Sequence, residues 1–253
     1  MCATCGCSDA AGVRVIDPAR PHDHGHGHGH SHPEPAGTVV ALEAEILAGN
    51  DRLAAENRRA FAGRGIHAVN LMSSPGSGKT TLLVRTLADL GAELDICVVE
   101  GDQETLLDAE RIGATGARVV QVNTGAGCHL DAAMMAEAVR TLAPPDGSLL
   151  LVENVGNLVC PALFDLGEAA RVVIMSVTEG HDKPLKYPHM FRTADLVLLN
   201  KIDLLPYVDF DVARCVEGAR RARPGVEVLE VSATAGVGLD GWYGWLRARH
   251  APA

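Results

Sequence analysis

Three short segments of this chain have the residue types and spacing to hold a guanine nucleotide. In Ser74-Pro75-Gly76-Ser77-Gly78-Lys79-Thr80, two glycines leave room for backbone N–H groups to close around a phosphate that a Cβ would keep away. Lys79 is expected to reach the β- and γ-phosphates and the Thr80 hydroxyl to hold Mg²⁺. The helix that starts here and runs on through Thr81 turns its positive end toward the anion. In Asn200-Lys201-Ile202-Asp203, the Asp203 carboxylate can accept two hydrogen bonds, from guanine N1–H and the exocyclic amine, an arrangement adenine does not offer. Lys201 would lie against the base plane and Asn200 would tie the loop together. The third segment, Ser232-Ala233, places a backbone N–H toward guanine O6. One position departs from the general phosphate-loop pattern: its first glycine is Ser73 here.

Mg²⁺ beside a triphosphate takes further carboxylates, often through water. Glu153 closes the apolar run Leu149-Leu150-Leu151-Val152 and is followed by Gly156, where the commoner acid would be Asp. Asp102, in Val99-Glu100-Gly101-Asp102, is the second candidate, and a loop-capping role is the alternative for it. Lys79, Asp102 and Glu153 are therefore the residues expected to carry phosphate chemistry.

A second group of residues points to a transition metal. Cys2, Cys5 and Cys7 place three thiols within six residues, beside the first amino group of the sequence. Planar thiolate and amine donors favour Ni²⁺ or Cu²⁺, and tetrahedral ones favour Zn²⁺. His22, His24, His26, His28, His30 and His32 alternate with small residues, a pattern that gives metal capacity with little selectivity. Cys128-His129 and Cys160-Pro161 are each too few for a site alone. Cys160 lies seven residues past Glu153, in a loop that would feel loss of the γ-phosphate, so a metal ligand there couples affinity to nucleotide state. The competing readings are a C-x-x-C redox pair for Cys2 and Cys5, and plain packing for Cys128 and Cys160. Cys97 and Cys215 read as packing residues, and His67, His181, His189 and His250 receive no role.

The elements that must position these groups follow from the apolar pattern. The chain has 253 residues, 47% hydrophobic and only 4% aromatic, which suits an aliphatic core under a buried parallel sheet. Strands are expected at 66–72, 95–99, 118–122, 149–152, 172–177, 196–199 and 226–231. Helices are expected at 39–61, with a possible break at Asn50-Asp51, and at 81–90, 130–142, 212–221 and 239–249. The fold class is α/β, a mostly parallel sheet flanked by helices, with each motif just after a strand. Residues 1–37 read as a flexible Cys/His-rich metal-binding tail, and 38–253 as a nucleotide domain with an N-terminal helix. The balance of 22 basic against 32 acidic residues argues against nucleic acid as a partner. There is no run of 18 apolar residues and no apolar signal-peptide core, so the expectation is a cytoplasmic protein without membrane insertion.

With these residues in place, the chain resembles the HypB family of hydrogenase nickel-incorporation GTPases, in the SIMIBI class of P-loop proteins. The likeness is carried by Cys2 to Cys7, the histidine tract, Ser73 to Thr80, Gly101-Asp102, Gly127-Cys128-His129-Leu130, Asn200 to Asp203 and, most specifically, Glu153-Asn154-Val155-Gly156-Asn157-Leu158-Val159-Cys160-Pro161. Ser73 also looks like that family's variant. The resemblance implies slow GTP hydrolysis to GDP, coupled to delivery of Ni²⁺ into the large-subunit precursor of NiFe hydrogenase. It implies a tight nickel site at Cys2, Cys5 and Cys7. A weaker Ni²⁺ or Zn²⁺ site would form at Cys128, His129 and Cys160 on a GTP-dependent homodimer interface, with the nickel chaperone HypA as a partner. The alternatives are an accessory GTPase of the urease or cobalamin type, and a nickel storage or buffering protein in which the tail is the active part.

Overall fold

A computed structural model describes residues 36–250 apart from Glu104 and Ala126, with side chains from residue 44 onward. Cys2, Cys5, Cys7 and the six alternating histidines lie outside the described residues. The order is α1 (Ala36–Gly63), β1 (His67–Ser73), α2 (Lys79–Leu90), β2 (Ile96–Asp102), α3 (Leu107–Gly113), β3 (Arg118–Asn123), α4 (Ala132–Leu142), β4 (Leu149–Glu153), β5 (Ala170–Ser176), α5 (Lys183–Lys186), α6 (Pro188–Arg192), β6 (Leu196–Asn200), α7 (Val212–Ala222), β7 (Glu227–Glu230) and α8 (Leu239–His250). Single 3₁₀ turns sit at Cys160–Ala162 and Ile202–Tyr207.

The strands form one sheet in the order β3-β2-β4-β1-β5-β6-β7, every neighbouring pair parallel. Continuous apolar runs such as Leu149 to Val152 and Leu196 to Leu199 are fully buried, as strands covered on both faces require. Alternate residues supply opposite faces. Val69 and Leu71 pack with Leu82 and Leu83 of α2 and Trp242 of α8, whereas Ala68 packs with Met135 of α4 and Phe61 of α1. Helix α8 is stitched to α2 by Trp242 Nε1 donating to Thr86 Oγ1 (2.9 Å) and Tyr243 OH donating to Asp89 (2.7 Å). Among the described residues no helix is long and apolar enough to cross a membrane.

The expected break in the first helix is absent. Asn and Asp interrupt helices when their side chains compete for nearby backbone groups. Here Asn50 is buried, and its amide spans outward instead, donating to Asp165 O (2.8 Å) and accepting from Ala132 N (2.9 Å). Asn57, two turns on, donates to Ala132 O (2.8 Å) and Leu166 O (3.0 Å). These two amides peg α1 to the first residue of α4 and to the loop before β5.

Candidate functional site

The C-terminal ends of β1, β2, β4 and β6 converge on a cavity of about 500 Å³ lined by the phosphate loop, Glu100 to Gln103, Glu153 to Gly156 and Lys201. The loop between β1 and α2 needs its second glycine twice over. Gly78 has φ 94°, and a Cβ there would lie 2.6 Å from Asn200 Nδ2. That close approach joins the phosphate loop to the base-reading loop, since Asn200 Nδ2 donates to Ser77 O at 2.9 Å. Lys79 is buried, and its Nζ donates to Ser73 Oγ (3.0 Å) and lies 4.0 Å from Glu153 Oε1. Ser73, the departure from the usual glycine, thus serves as an acceptor for the phosphate-loop lysine. Thr80 Oγ1 donates to Glu153 Oε1 at 2.7 Å, so the hydroxyl and the carboxylate expected around Mg²⁺ are already in contact. Thr81 lines the same cavity and accepts from Arg111 Nη2 (3.4 Å).

Asp102 both caps and lines. Its Oδ2 accepts from Thr105 N and Thr105 Oγ1, each at 2.8 Å, while its side chain borders the cavity. The loop-capping reading of Asp102 is thus met by its contacts with Thr105, and its place in the cavity lining leaves it the candidate for Mg²⁺ that the sequence made it.

Glu100 is a candidate site residue that the sequence reading did not pick out. Strand β2 was expected to end at Val99, but it runs to Asp102 and pairs with β3 over its whole length. This places Glu100 inside the strand, in direct register with Glu153 of β4. Both carboxylates are buried, at 2% and 3% exposure, and one oxygen of each has no hydrogen-bond partner. Burial pushes the Glu100 carboxyl up to about 8, reinforced by the negative charges of Glu153 and Asp102 and opposed by Lys79. Burial also raises Glu153, opposed by the Lys79 charge and the Thr80 hydrogen bond. Both residues line the cavity, Glu153 in contact with the Thr80 hydroxyl, and carboxylate and hydroxyl oxygens are the donors a hard, hydrated Mg²⁺ takes, so the residues present fit that ion.

A pH dependence follows for the protein without nucleotide or metal. Because the folded-state Glu100 value lies above 4.5, its contribution to stability is complete below about pH 4.5 and is lost as pH rises through about 8. The thermal midpoint is expected to fall across that range, and Glu100→Gln is expected to flatten the fall and raise the midpoint at pH 8. Parallel pH curves for the two proteins in thermal unfolding would contradict this.

The base-reading loop is held from three sides. Lys201 adopts a left-handed conformation (φ 64°), a strained one for a lysine, and its Nζ donates to Gly76 O at 2.7 Å. Ser232 Oγ donates to Asp203 Oδ1 at 2.5 Å and so orients the carboxylate expected to read guanine. Ala233 N donates to Asn200 Oδ1 at 3.2 Å. A guanine O6 meeting that N–H, as expected from sequence, has to share the donor with Asn200.

The second cluster lies beside the first. Cys128 Sγ is 3.0 Å from Cys160 Sγ and 3.7 Å from His129 Nδ1, and one ligand atom from each of the three residues falls within 4.8 Å of the others. Cys160 opens a buried 3₁₀ turn, and the His129 ring stacks on Phe164 with centroids 3.9 Å apart. Burial holds the His129 imidazole below its ordinary value, against the opposing charge of Asp131, and so favours the neutral form that ligates metals. Thirty-two residues of sequence separate the two thiols; the parallel order β3-β2-β4 puts the loops that follow β3 and β4 at the same end of the sheet, on either side of β2. Cys97 and Cys215 are buried, 2% and 1% exposed, as packing residues.

Sheet order, glycine-bounded phosphate loop and Asn-Lys-x-Asp loop define a P-loop nucleotide-binding protein, and comparison with known proteins narrows the class. Residues 67–230 match the family model "CobW/HypB/UreG, nucleotide-binding domain". The hydrogenase maturation factor HypB of Rhizobium leguminosarum bv. viciae is 59% identical over 208 residues, covering 82% of this chain and 70% of that protein. That of Escherichia coli K12 is 55% identical over 211 residues, covering 83% and 73%. Among solved structures, HypB from Archaeoglobus fulgidus superposes with a TM-score of 0.76 at 42% identity, covering 81% of this chain and all (100%) of that one. HypB from Helicobacter pylori in complex with nickel gives 0.74 at 39% identity, covering 80% and 95%. The chain belongs to the HypB family of hydrogenase maturation factors and is a GTPase of the α/β P-loop type.

Proposed function

We propose that this protein uses the binding and slow hydrolysis of GTP, with Mg²⁺, to control when a Ni²⁺ ion is held and when it passes to the large-subunit precursor of NiFe hydrogenase. In this reading Ser74 to Thr81 hold the phosphates, and Asn200, Lys201, Asp203, Ser232 and Ala233 hold the base. Thr80, Asp102 and Glu153 hold Mg²⁺ directly or through water. Cys128, His129 and Cys160 are the nickel ligands whose affinity changes with nucleotide, and Zn²⁺ is their borderline competitor. The observation that carries it is the convergence of two thiols and an imidazole within 4.8 Å, one of the thiols on the segment that continues from Glu153 to Gly156 of the phosphate cavity.

Three ligands leave one position of a four-coordinate ion for water or another protein group. A second copy of the chain, docked when GTP is bound, supplies such a group, and this supports the GTP-dependent homodimer. The HypA-type chaperone and the client precursor are the donors and acceptors of the ion. The N-terminal thiols form a tighter nickel site and the histidine tract a reserve, with the protein acting in the cytoplasm.

The test is Ni²⁺ affinity of the full chain with GDP and with a non-hydrolysable GTP analogue, each referenced to a Cys128→Ser variant so that tail binding is subtracted. Different affinities in the two states are expected, and equal ones would end this reading. Cys160→Ser is expected to weaken the subtracted site by about 100-fold, since even the hydrogen-bond partners of metal ligands cost 10–100-fold when lost.

A further inference from the structure

Between the nucleotide cavity and the thiol–imidazole cluster stands one buried amide. Asn154, 1% exposed, follows Glu153 directly, and Glu153 receives the Thr80 hydroxyl. Its Oδ1 accepts two backbone N–H groups: Val155 N at 3.0 Å, in its own loop, and Leu130 N at 3.1 Å, in the loop of Cys128 and His129. Its Nδ2 donates to Asn70 Oδ1 on β1 at 3.2 Å, and Asn70 Nδ2 is engaged in turn by Glu168 Oε1 (3.2 Å). The amide orientation is therefore fixed, with every hydrogen bond assigned to its atom by the donors around it.

The surroundings make this contact taut. Leu130 is fully buried against the end of β2; a Cβ on Gly101, between Glu100 and Asp102, would lie 2.8 Å from Leu130 Cγ. On the other side, a Cβ on Gly156 would lie 3.0 Å from Pro75 Cα of the phosphate loop. Residues 153–156 thus cannot move relative to the phosphate loop without carrying the Asn154 amide. That amide in turn holds the residue next to His129. The cluster loop is fixed at its far end as well, by Asn50 accepting from Ala132 N, so displacement at Leu130 has to be absorbed by 127–131. Cys160 rides on the same segment as Asn154, six residues further along. A change at Glu153 therefore shifts both arms of the cluster, one through the chain and one through a side-chain hydrogen bond.

We propose that Asn154 is the positioning residue that transmits nucleotide occupancy to the Cys128–His129–Cys160 cluster, its Oδ1 setting the distance between the two thiol-bearing loops. This rests on the nucleotide-coupled metal affinity proposed above. The rationale is that a buried, fully hydrogen-bonded polar link joins the two loops directly, where soft packing would absorb a shift.

The experiment measures Ni²⁺ affinity of the full chain, again referenced to Cys128→Ser, with GDP and with the GTP analogue, in wild type, Asn154→Ala and Asn154→Asp. Wild type is expected to show a nucleotide-dependent ratio of affinities. Asn154→Ala is expected to bring that ratio to within about twofold of unity, with every affinity read at saturating nucleotide because Asn154 also lines the nucleotide cavity. Asn154→Asp keeps the Oδ1 acceptor for Leu130 N and, as the protonated acid, a donor for Asn70 Oδ1, and in that form it is expected to retain most of the ratio. An unchanged ratio in Asn154→Ala, or a loss as complete in Asn154→Asp, overturns the inference. Exchange of the Leu130 amide hydrogen in wild type gives a readout that needs no variant to fold: different protection with GDP and with the analogue is expected, and identical protection overturns it. A wild-type ratio of one would instead remove the coupling itself, and the role of Asn154 with it.

Discussion

Asp203→Asn is expected to lower affinity for GTP by about 10²–10³-fold while leaving the fold intact. The carboxylate accepts two hydrogen bonds from guanine, each charge-assisted and each contributing about 1.5–2 kcal/mol, so their loss corresponds to that factor. The side chain is exposed and anchored by a single donor, Ser232 Oγ, so the substitution removes little packing. The same variant is expected to gain affinity for xanthosine triphosphate, because the new amide N–H meets a carbonyl where guanine has its amine. Competition titrations with the two nucleotides check both halves. Unchanged GTP affinity would show that Asp203 does not face the base.

Lys79→Ala is expected to reduce GTP hydrolysis by about 10²–10³-fold, the usual effect of removing one preorganised charge from a developing phosphate charge. The lysine also stabilises its neighbours. It opposes the upward push on both Glu153, where Arg111 also acts, and Glu100, so its removal is expected to raise both carboxyls further and weaken Mg²⁺ binding. Two measurements separate these effects: turnover at saturating Mg²⁺, and the Mg²⁺ concentration giving half-maximal nucleotide affinity. In cells the same variant distinguishes a GTP-driven protein from a nickel store. Hydrogenase maturation is expected to fail in it, and maturation that survives while tail deletion lowers nickel tolerance would favour storage.

All seven strands were legible, because runs such as Leu149 to Val152 and Leu196 to Leu199 admit no other element in a doubly covered sheet. The short helices α3, α5 and α6, of seven, four and five residues, were not. They are too short to show a period, and they form because neighbouring elements hold them. At Asn50 the local rule predicted a break, and a tertiary hydrogen bond to Ala132 prevailed. Glu100 escaped notice because a strand end cannot be placed to better than a few residues from pattern alone. Moving that end by three residues turns an anonymous loop acid into the in-register neighbour of Glu153.

The sequence by itself supplied the candidate ligand chemistry: glycines that leave room for a phosphate, an aspartate able to tell guanine from adenine, thiols and imidazoles able to hold a transition-metal cation. Those choices depend on atom types and short spacings, which the chain carries locally. Only the tertiary structure decided which groups meet. Strand order set Glu100 beside Glu153 and brought Cys128 to Cys160, and a single amide at Asn154 came to bridge the two sites. Contacts between residues far apart in the chain depend on register and on crossover connections, which no local spacing encodes.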